Sequence, residues 1–358
     1  MKSQDIYILA AYPNAENIKD GMFQRIKTID TLLAYHTKIY INLSITNPFF
    51  KIIIHNDNTK ELFLNPFNPY YIIKEFLLKA KTIYIHSIHP LKFIPYGLFY
   101  LKNKKNNLIL DAHGIVPEEI FYYGKRYRSF YMNWIERNYF NTLSHCICVS
   151  NAMINHFKYK YPDKSISYHL LTTSNLLPIP MEDEIRKLRF ELKINDKNKV
   201  IIYSGNCQLW QNIPLIMKNI QSIISEFKII ILTGEKKIFE DYFKEYHIDL
   251  TKVILRSVAP SELNKYYSIS NYGYLLRDDI LLNRVSNPTK MLEYLQFGIV
   301  PVVLSPQIGD YIDKGYEYLR LADFESKKTI AIKSIKNIEI ANGIVKLNEN
   351  FNIENILN

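Results

Sequence analysis

The stretch from Asn283 to Val303, NRVSNPTKMLEYLQFGIVPVV, combines residue types that bind phosphate and hydroxyl groups. Lys290 falls near the third position of a predicted helix, so its ammonium and the free N–H groups of the first turn can meet the same anion. Glu293 comes one turn later, where its carboxylate can accept paired hydrogen bonds from the vicinal hydroxyls of a ribose. The alternative for Lys290 and Glu293 is an ordinary surface ion pair between residues three apart on a helix.

Two apolar runs position this stretch. YGYLLR (272–277) precedes it and IVPVVLS (299–305) follows it, and both predict short buried strands with room for a loop and one helix between them. In a parallel sheet that loop lies at the carboxyl ends of the strands, where open α/β folds bind ligands. Arg277 and Arg284 lie at this end of the first strand, where an arginine can hold a diphosphate through two hydrogen bonds.

The helix between the two strands has its own start and stop signals. Pro288 suits the first helical position, and Asn287 or Ser286 suits the cap before it. Gly298 suits the residue just past the end of the helix. The segment therefore predicts the order strand, loop, helix, strand.

The same alternation of apolar runs and segments of helical period extends along the chain. The predicted strands are 5–12, 37–44, 51–56, 82–87, 107–114 and 146–150, then 199–205, 227–234, 252–258, 272–277 and 299–305. Strands that alternate with helices predict an α/β fold with largely parallel sheets. The proline-containing segment SNLLPIPMEDE (174–184) interrupts the alternation and suits a linker. We therefore predict a Rossmann-like domain over 1–173, a second over 174–340, and a tail over 341–358 that packs back on the first domain.

Composition narrows the class of protein. The chain has 358 residues, of which 47% are hydrophobic and 22% charged, as in globular domains. Its formal net charge of +10 favours polyanions, anionic membrane surfaces or phosphorylated ligands without choosing among them. The three cysteines form neither a disulfide framework nor a metal-site pattern, which fits a reducing compartment.

No signal peptide or membrane span is predicted. The opening run DIYILAAY lacks a basic leader and a small-residue cleavage site. No apolar run reaches the roughly 18 residues that a membrane-spanning helix needs. We therefore expect a cytoplasmic protein, with attachment to the inner face of the membrane as an option.

Polar residues in the first half form a second group of candidates. His113 follows the predicted strand NLIL, so it sits at a strand end. Glu118 and Glu119 follow a proline and begin a helix, where carboxylates are favourable for dipole reasons alone. A catalytic or acceptor-binding role for these two acids is the equal alternative.

Basic residues among aromatic ones suggest a surface for an acceptor or a membrane. Lys125 and Arg126, with Arg128, lie among tyrosines and suit contact with a phosphorylated or lipid-linked acceptor. The segment KFIPYGLFYLKNKKNN (92–107) also mixes aromatics with lysines, as an interfacial segment on an anionic membrane surface would. A core helix with a solvated lysine end is the alternative for that segment.

The run SNPTKMLEYLQFGIVPVV resembles the donor-site helix of GT-B glycosyltransferases, in particular those of the family 4 (group 1) type. The resemblance implies two Rossmann-like α/β domains whose parallel sheets face a central cleft. It also implies that Glu293 binds the ribose of the donor nucleotide. Lys290 and the helix start, formed by Asn287, Pro288 and Thr289, would face the diphosphate.

The resemblance extends to the first half of the chain. D-x-H-G with the downstream P-E-E is similar to the family pattern in which a histidine lies near the transferred sugar, which implies that role for His113. Gly21 and Arg25 match a glycine-containing loop and helix start that lie close to the donor phosphates or the acceptor in these enzymes.

Two positions depart from the family pattern. Val285 stands where many family 4 enzymes carry an acidic residue, eight positions before the ribose-binding glutamate. YSGNCQLWQN (203–212) keeps Gly205 but supplies Asn206 and Trp210 where those enzymes carry phosphate-binding cations. Arg277 or Arg284 would then substitute as the phosphate ligand. The indole of Trp210 can stack on a base or a sugar, or pack in the core.

The sequence thus predicts a glycosyltransferase that moves a sugar from a nucleotide sugar to a saccharide or lipid-linked acceptor in surface polysaccharide biosynthesis. A UDP-sugar is the default donor, with a GDP-sugar next, and the family resemblance implies retention of configuration. No cofactor and no metal are expected, because Asp278 and Asp279 are adjacent rather than spaced as D-x-D. The alternatives are a nucleotide-sugar epimerase and a basic module that binds nucleic acid. The nucleic-acid module lacks support, because the chain has no recognition motif and its basic residues are dispersed, so no nucleic-acid partner is expected.

Overall fold

The computed structural model describes residues 4–18, 21–102, 107–172, 176–324 and 329–357. The chain divides into two compact units, Met1–Thr173 with Asn350–Asn358, and Ser174–Glu349. We call these the first and the second unit. The start of the predicted linker at 174–184 and Lys104 and Lys105 of the predicted interfacial segment lie outside the described residues.

The first unit contains one mixed sheet. Its strands are β1 (Asp5–Leu9), β2 (Thr37–Leu43), β3 (Phe50–Asn56), β4 (Thr59–Leu64), β5 (Thr82–His86), β6 (Asn107–Ala112), β7 (His145–Cys148) and β8 (Ser167–Leu170). They follow the order β3-β4-β2-β1-β5-β6-β7-β8. Neighbouring strands run parallel from β4 to β8, whereas β3 and β4 pair antiparallel.

Two of these strands were not predicted. In β4, TKELFL, the charged residue Glu61 interrupts the apolar pattern although it is buried. Its burial is possible because its carboxylate accepts hydrogen bonds from Tyr12 N (3.1 Å) and Asn42 Nδ2 (2.9 Å). The short β8, SYHL, is polar and half-buried at the edge of the sheet. β4 was therefore missed because the partners of Glu61 lie elsewhere in the sequence, and β8 because an edge strand lacks an apolar pattern.

Helices connect the parallel strands of the first unit. They are α1 (Gly21–Leu32), α2 (Pro69–Tyr71, continued as a π-helix over Ile72–Leu77), α3 (Gly97–Lys102), α4 (Val116–Tyr122), α5 (Arg126–Phe140) and α6 (Asn151–Lys160), with a 3₁₀ turn at His89–Phe93. The residue pattern over 118–141 predicts one helix, but Gly124 adopts a positive φ of 76° and separates α4 from α5.

The last residues of the chain complete the core of the first unit. Helix α15 (Glu354–Leu357) brings Ile356 and Leu357 into the cluster that contains Ile6 and Ile8 of β1. Hydrogen bonds add to this packing, because Asn107 Nδ2 donates to Ile356 O at 2.7 Å.

The second unit contains one parallel sheet. Its strands are β9 (Lys199–Ser204), β10 (Phe227–Leu232), β11 (Val253–Arg256), β12 (Tyr272–Leu275), β13 (Val300–Val303) and β14 (Leu319–Arg320), in the order β11-β10-β9-β12-β13-β14. Its helices are α7 (Glu182–Glu191), α8 (Ile213–Ile223), α9 (Lys236–Glu245), α10 (Leu263–Ile269), α11 (Leu281–Val285), α12 (Thr289–Gln296), α13 (Leu321–Phe324) and α14 (Ile335–Glu349). Shorter 3₁₀ turns lie at Leu209–Gln211, Leu250–Lys252 and Pro260–Glu262.

Both faces of this second sheet are buried. Ile201 and Tyr203 of β9 pack into one apolar cluster, and Val200 and Ile202 pack into another. Alternate side chains of one strand therefore enter separate cores, as expected where helices cover both faces of a parallel sheet. The parallel register places the carboxyl ends of β9, β12 and β13 at one edge of the sheet.

The described part of the chain holds no helix whose length and apolar character would let it cross a bilayer.

Candidate functional site

The stretch that carries Lys290 folds as strand, loop, helix and strand, with two differences from the prediction. The loop contains the short helix α11, and Pro288 caps α12 in an extended conformation (ψ 126°) instead of opening it. Ser286 Oγ donates to Asn283 O at 3.0 Å, and Asn287 Oδ1 accepts from the hydroxyl of Tyr311. Because these contacts use the side chains that were expected to cap the helix, α12 begins one residue later.

The end of α12 is as predicted. Gly298 has a positive φ of 63°, and its N–H donates to Leu295 O at 2.9 Å. This left-handed residue after the helix satisfies a carbonyl of the last turn.

The ammonium of Lys290 is enclosed and unpaired. Its Nζ is buried and has no hydrogen-bond partner among the described residues. It lies 4.2 Å from the centre of the Tyr203 ring, and a Cβ built on Gly205 would come within 2.8 Å of it. Burial, and then the charge of Arg277, lower the pKa of Lys290 to about 7. A cation held without an acidic partner is poised for an anionic ligand.

Gly205 is required by this arrangement. It follows β9 with φ 145°, a conformation that L side chains rarely adopt, and its N–H donates to Leu232 O at 2.9 Å. Any side chain at this position would displace the Lys290 ammonium.

A hydrogen bond from Tyr267 holds the carboxylate of Glu293. Tyr267 donates its hydroxyl proton to Glu293 Oε2 at 2.9 Å, and Ser204 Oγ lies 2.7 Å from the same hydroxyl. Burial raises the pKa of Glu293, while the bond from Tyr267 and the charge of Lys290 act in the opposite direction. Lys290 and Glu293 both lie in the described part of the chain, and no ion pair joins them. The alternative of an ordinary surface ion pair is therefore not what the structure shows.

The two arginines upstream of α12 differ in their surroundings. Arg277 lies near Lys290, and its NH1 is 3.5 Å from Asn283 Oδ1 and from Ser286 Oγ. Arg284 instead forms an exposed ion pair with Asp279 at 2.6 Å. The structure therefore groups Arg277, and not Arg284, with Lys290.

The loop after β9 lies next to the same group. The hydroxyl of Tyr203 donates to Asn206 O at 2.5 Å, which anchors the turn over the aromatic ring below Lys290. Trp210 lies in a 3₁₀ turn and is 37% exposed, so it is not a core residue. Asn212 donates to Leu276 O at 2.8 Å and ties this loop to the segment that follows β12.

A second polar group lies in the first unit. Arg25 donates from Nε and NH2 to both oxygens of Asp111 at 2.6 to 3.0 Å, and NH1 donates to Leu171 O. Both side chains are buried, and although burial alone would raise the pKa of Asp111, the charge of Arg25 holds it well below the ordinary value. The guanidinium of Arg25 is thus bound inside the first unit, and its expected place close to the donor phosphates or the acceptor stays a prediction.

His113 lies beside this pair. Its Nε2 is 3.2 Å from His86 Nδ1 and 3.5 Å from Asp111 Oδ2, and 16% of its side chain is exposed. Tyr84 donates to Asp111 Oδ2 at 3.1 Å. His86, Asp111 and His113 offer ligand atoms within 4.8 Å of one another, the spacing of a metal site. However, Arg25 already engages both oxygens of Asp111 and its charge opposes a second cation, so the cluster suits a hydrogen-bond network better.

The two predicted acids on α4 differ in their contacts. Glu118 accepts from Lys160 Nζ at 2.7 Å, and Lys160 also binds the buried Glu136. Burial alone would raise the pKa of Glu118, but His156 and Lys160 lower it to about 2. Glu119 lies by the His113 turn, because a Cβ built on Gly114 would be 3.9 Å from its Oε2, and burial raises its pKa. Glu118 therefore belongs to an ion cluster, and Glu119 is the acid near His113.

The remaining predicted residues of the first unit lie at the surface of that unit. Gly21 opens α1, and a Cβ built on it would meet nothing within 4 Å, so no close approach explains the glycine there. Lys125 and Arg126 are exposed at the start of α5.

Known structures share the fold of this chain. A sucrose-phosphate synthase from Thermosynechococcus elongatus is 13% identical, and the match covers 99% of this chain and 96% of that chain with a TM-score of 0.69. HepE from Anabaena, in complex with UDP-glucose, is 12% identical over 96% of this chain and 97% of that chain, with a TM-score of 0.67. A glycosyltransferase from Rickettsia africae is 12% identical over 99% of this chain and 96% of that chain, with a TM-score of 0.60. The chain has the GT-B fold. No protein-family model and no curated protein matches the sequence.

Several residues that shape the two groups in this GT-B chain were not predicted from the sequence. Tyr203 and Tyr267 hold Lys290 and Glu293, yet both look like ordinary apolar residues of a strand and a helix. Asp111 lies near the end of the predicted strand that also carries His113, and His86 lies near the end of the neighbouring strand. Position at the carboxyl edge of the sheet was the available signal for both.

Proposed function

We propose that this chain is a glycosyltransferase that uses a nucleotide-diphosphate sugar, by default a UDP-sugar and next a GDP-sugar. One observation carries the proposal: the buried Lys290 ammonium has no acidic partner among the described residues, and it lies beside Gly205 and near Arg277. A buried ammonium that feels the charge of a nearby arginine suits the two phosphates of a diphosphate. Glu293, one helical turn later, offers the carboxylate for the ribose hydroxyls. The GT-B fold and the UDP-glucose in the HepE complex support this choice of donor.

The proposed mechanism depends on charge. As the bond from the sugar to the diphosphate breaks, negative charge grows on the leaving oxygen, and Lys290, Arg277 and the N–H groups of the first turn of α12 stabilise it. In this scheme Asn287, Pro288 and Thr289 shape the helix start, and Asn206 and Trp210 border the donor. No divalent metal is needed for this step, and the transfer retains the anomeric configuration.

We assign donor binding to residues 174–340 and acceptor binding to residues 1–173. His113 contacts the transferred sugar, and Glu119 is the better candidate of the two acids for a role in proton transfer. The acceptor is a saccharide or a lipid-linked saccharide, which is the chemistry of surface polysaccharide biosynthesis. A nucleotide-sugar epimerase would bind the same donor but would need no acceptor, so product analysis with and without a saccharide separates the two activities.

Titration of UDP, GDP, uridine and UDP-glucose into the parent and into Glu293→Gln tests the donor site. Glutamine keeps the size and helix propensity of the side chain but removes a charged acceptor, so nucleotide binding should weaken by roughly 1.5–3 kcal/mol, about ten- to a hundredfold. Asp183→Asn is the matched control, since it removes one charge from an exposed ion pair in the same unit. Equal affinities in Glu293→Gln and the parent would show that the ribose does not bind here.

We further propose that the first unit attaches to anionic membranes through the α4–α5 surface. This surface exposes Tyr127 (94%) and Phe130 (78%) beside Lys125, Arg126 and Arg128, and aromatics with basic residues suit the headgroup region. A position at the inner face of the membrane would bring the enzyme to a lipid-linked acceptor.

Vesicle co-sedimentation tests this attachment. The parent should bind vesicles that contain phosphatidylglycerol, and binding should fall as salt is raised. Lys125→Gln/Arg126→Gln should weaken it by about 2 kcal/mol, roughly thirtyfold, since each basic residue near an anionic surface contributes about 1 kcal/mol. Lys187→Gln/Lys197→Gln is the matched control in the second unit. Recovery of the parent in the supernatant with anionic and neutral vesicles alike would exclude the proposal.

A further inference from the structure

His86 has no role in the mechanism above, yet it is fully buried against the residue proposed to contact the sugar. Its Nδ1 lies 3.2 Å from His113 Nε2 and 3.3 Å from Asp111 Oδ2. Its other nitrogen, Nε2, is buried and has no hydrogen-bond partner among the described residues. Burial also lowers the pKa of His86 to about 4, so the ring carries one proton at neutral pH.

The surroundings decide which nitrogen of His86 carries that proton. A proton on Nε2 would be a buried donor without an acceptor, and it would leave the Nδ1 lone pair facing the Asp111 carboxylate. A proton on Nδ1 has both Asp111 Oδ2 and His113 Nε2 within reach. The Nδ1–H tautomer of His86 is therefore the stable one.

The position of Asp111 is fixed independently of the histidines. Arg25 binds both of its oxygens, and Tyr84 donates to Oδ2 at 3.1 Å. Of the contacts among these three residues, that of His86 Nδ1 with His113 Nε2 at 3.2 Å has the geometry of a hydrogen bond, whereas the two histidines come no closer than 3.3 and 3.5 Å to Asp111 Oδ2. His113 then keeps its own proton on Nδ1, because Nε2 uses its lone pair to accept.

We propose that His86 is a positioning residue that fixes the tautomer of His113, so that the Nδ1–H of His113 is presented as a hydrogen-bond donor. In the described structure no residue engages His113 Nδ1, and part of the ring is exposed. His113 would thus donate to an oxygen of the sugar and not act as a general base through that nitrogen. This assignment of donor character rests on the proposed glycosyltransferase function; the tautomer itself does not.

Histidine NMR tests the tautomer without any substrate. The nine histidines of the full chain are labelled with ¹⁵N, and His113→Gln identifies the His113 signals. At pH about 8, where imidazolium is a minor form, the parent should show a protonated Nδ1 and an unprotonated Nε2 on His113. His86→Leu should shift His113 toward the tautomer with a proton on Nε2, because the donor to Nε2 is gone and Asp111 Oδ2 lies 3.5 Å from it. A protonated Nε2 on His113 in the parent overturns the inference.

Kinetics test the consequence for the reaction. His86→Leu should lower kcat for sugar transfer by about ten- to a hundredfold and leave the Kd of UDP unchanged. His86→Asn is the conservative control, because its amide N–H takes the place of Nδ1–H, and it should stay within about threefold of the parent. Equal kcat values in His86→Leu and the parent, with both proteins folded by their melting curves, contradict the inference. If the parent neither binds UDP nor transfers a sugar, the proposed function fails, whereas the NMR result still decides the tautomer.

Discussion

Lys290→Met is expected to lose most of the affinity for UDP while keeping its affinity for uridine. Methionine keeps the aliphatic stem over the Tyr203 ring but removes the ammonium, so the loss falls on the ligand that carries diphosphate charge. Removing one partner of a buried charge pair costs roughly 2–5 kcal/mol, which is about thirtyfold or more in Kd. Isothermal calorimetry with UDP, GDP and uridine measures it.

The affinity of the parent for UDP should also fall as pH rises above 7. The free protein holds the pKa of Lys290 at about 7 through burial and the charge of Arg277. A bound diphosphate favours the charged amine and raises that pKa, so binding takes up a proton, roughly half a proton at pH 7. Affinity should therefore be greatest below pH 7 and decline by at most tenfold per unit above it.

Two controls make this result specific to Lys290. Lys290→Met should show no such decline, because it has no amine to titrate at the site. Lys265→Met removes a partly exposed lysine that is bound to Glu184 in the same unit. This variant should keep the UDP affinity of the parent and the decrease of that affinity above pH 7. Parent-like UDP binding in a well-folded Lys290→Met variant would mean that NRVSNPTKMLEY is a capped helix and not a phosphate site.

Arg25→Met is expected to destabilise the first unit strongly. It would leave the Asp111 carboxylate, which is fully buried, without its cation and without its closest hydrogen bonds. Breaking a buried ion pair from one side costs about 3–5 kcal/mol. The midpoint of thermal unfolding of this unit should then fall by roughly 6 to 20 °C, as followed by calorimetry.

The dependence of this loss on pH identifies its cause. In the parent, the lowered pKa of Asp111 contributes stability above the ordinary carboxyl pKa, and that stability is lost as pH falls. In Arg25→Met, burial without a cation raises the pKa of Asp111, and protonation relieves the strain as pH falls. The difference in the midpoint of thermal unfolding between the parent and Arg25→Met should therefore become smaller toward low pH.

A conservative double variant and a surface control complete this test. Arg25→Met/Asp111→Asn should recover much of the loss, because the amide is neutral. Lys79→Met breaks an exposed pair with Glu75 in the same unit and should cost at most about 0.5 kcal/mol. A melting midpoint for Arg25→Met like that of Lys79→Met would show that Asp111 does not depend on Arg25.

The sequence predicted the fold well where one strand or helix carried its own pattern. Most strands, the GT-B fold and the stop of α12 at Gly298 are confirmed by the structure. The start of α12 was wrong by one residue, because Ser286 donates back to Asn283 O and Asn287 accepts from Tyr311, a partner 24 residues away that a local pattern cannot reveal.

The residues around the candidate sites were harder to predict, because their partners are distant in sequence. Arg25 and Asp111 are 86 residues apart, and they meet because the sheet order brings β1 and β6 to either side of β5. Tyr267 and Glu293 meet across α10 and α12, 26 residues apart. The sequence pattern can indicate each of these residues as a candidate by itself. Which of them pair is decided by the order of the strands in the sheet.

The packing of α15 into the first unit sets the order in which the two cores can be completed during synthesis. The second unit is continuous from 174 to 349, so its core can close once these residues have left the ribosome. The core around Ile6 and Ile8 must wait for Ile356 and Leu357, which are translated after the whole of the second unit. The unit that is made first therefore completes its core last, and part of the apolar surface of that core stays uncovered in the interval.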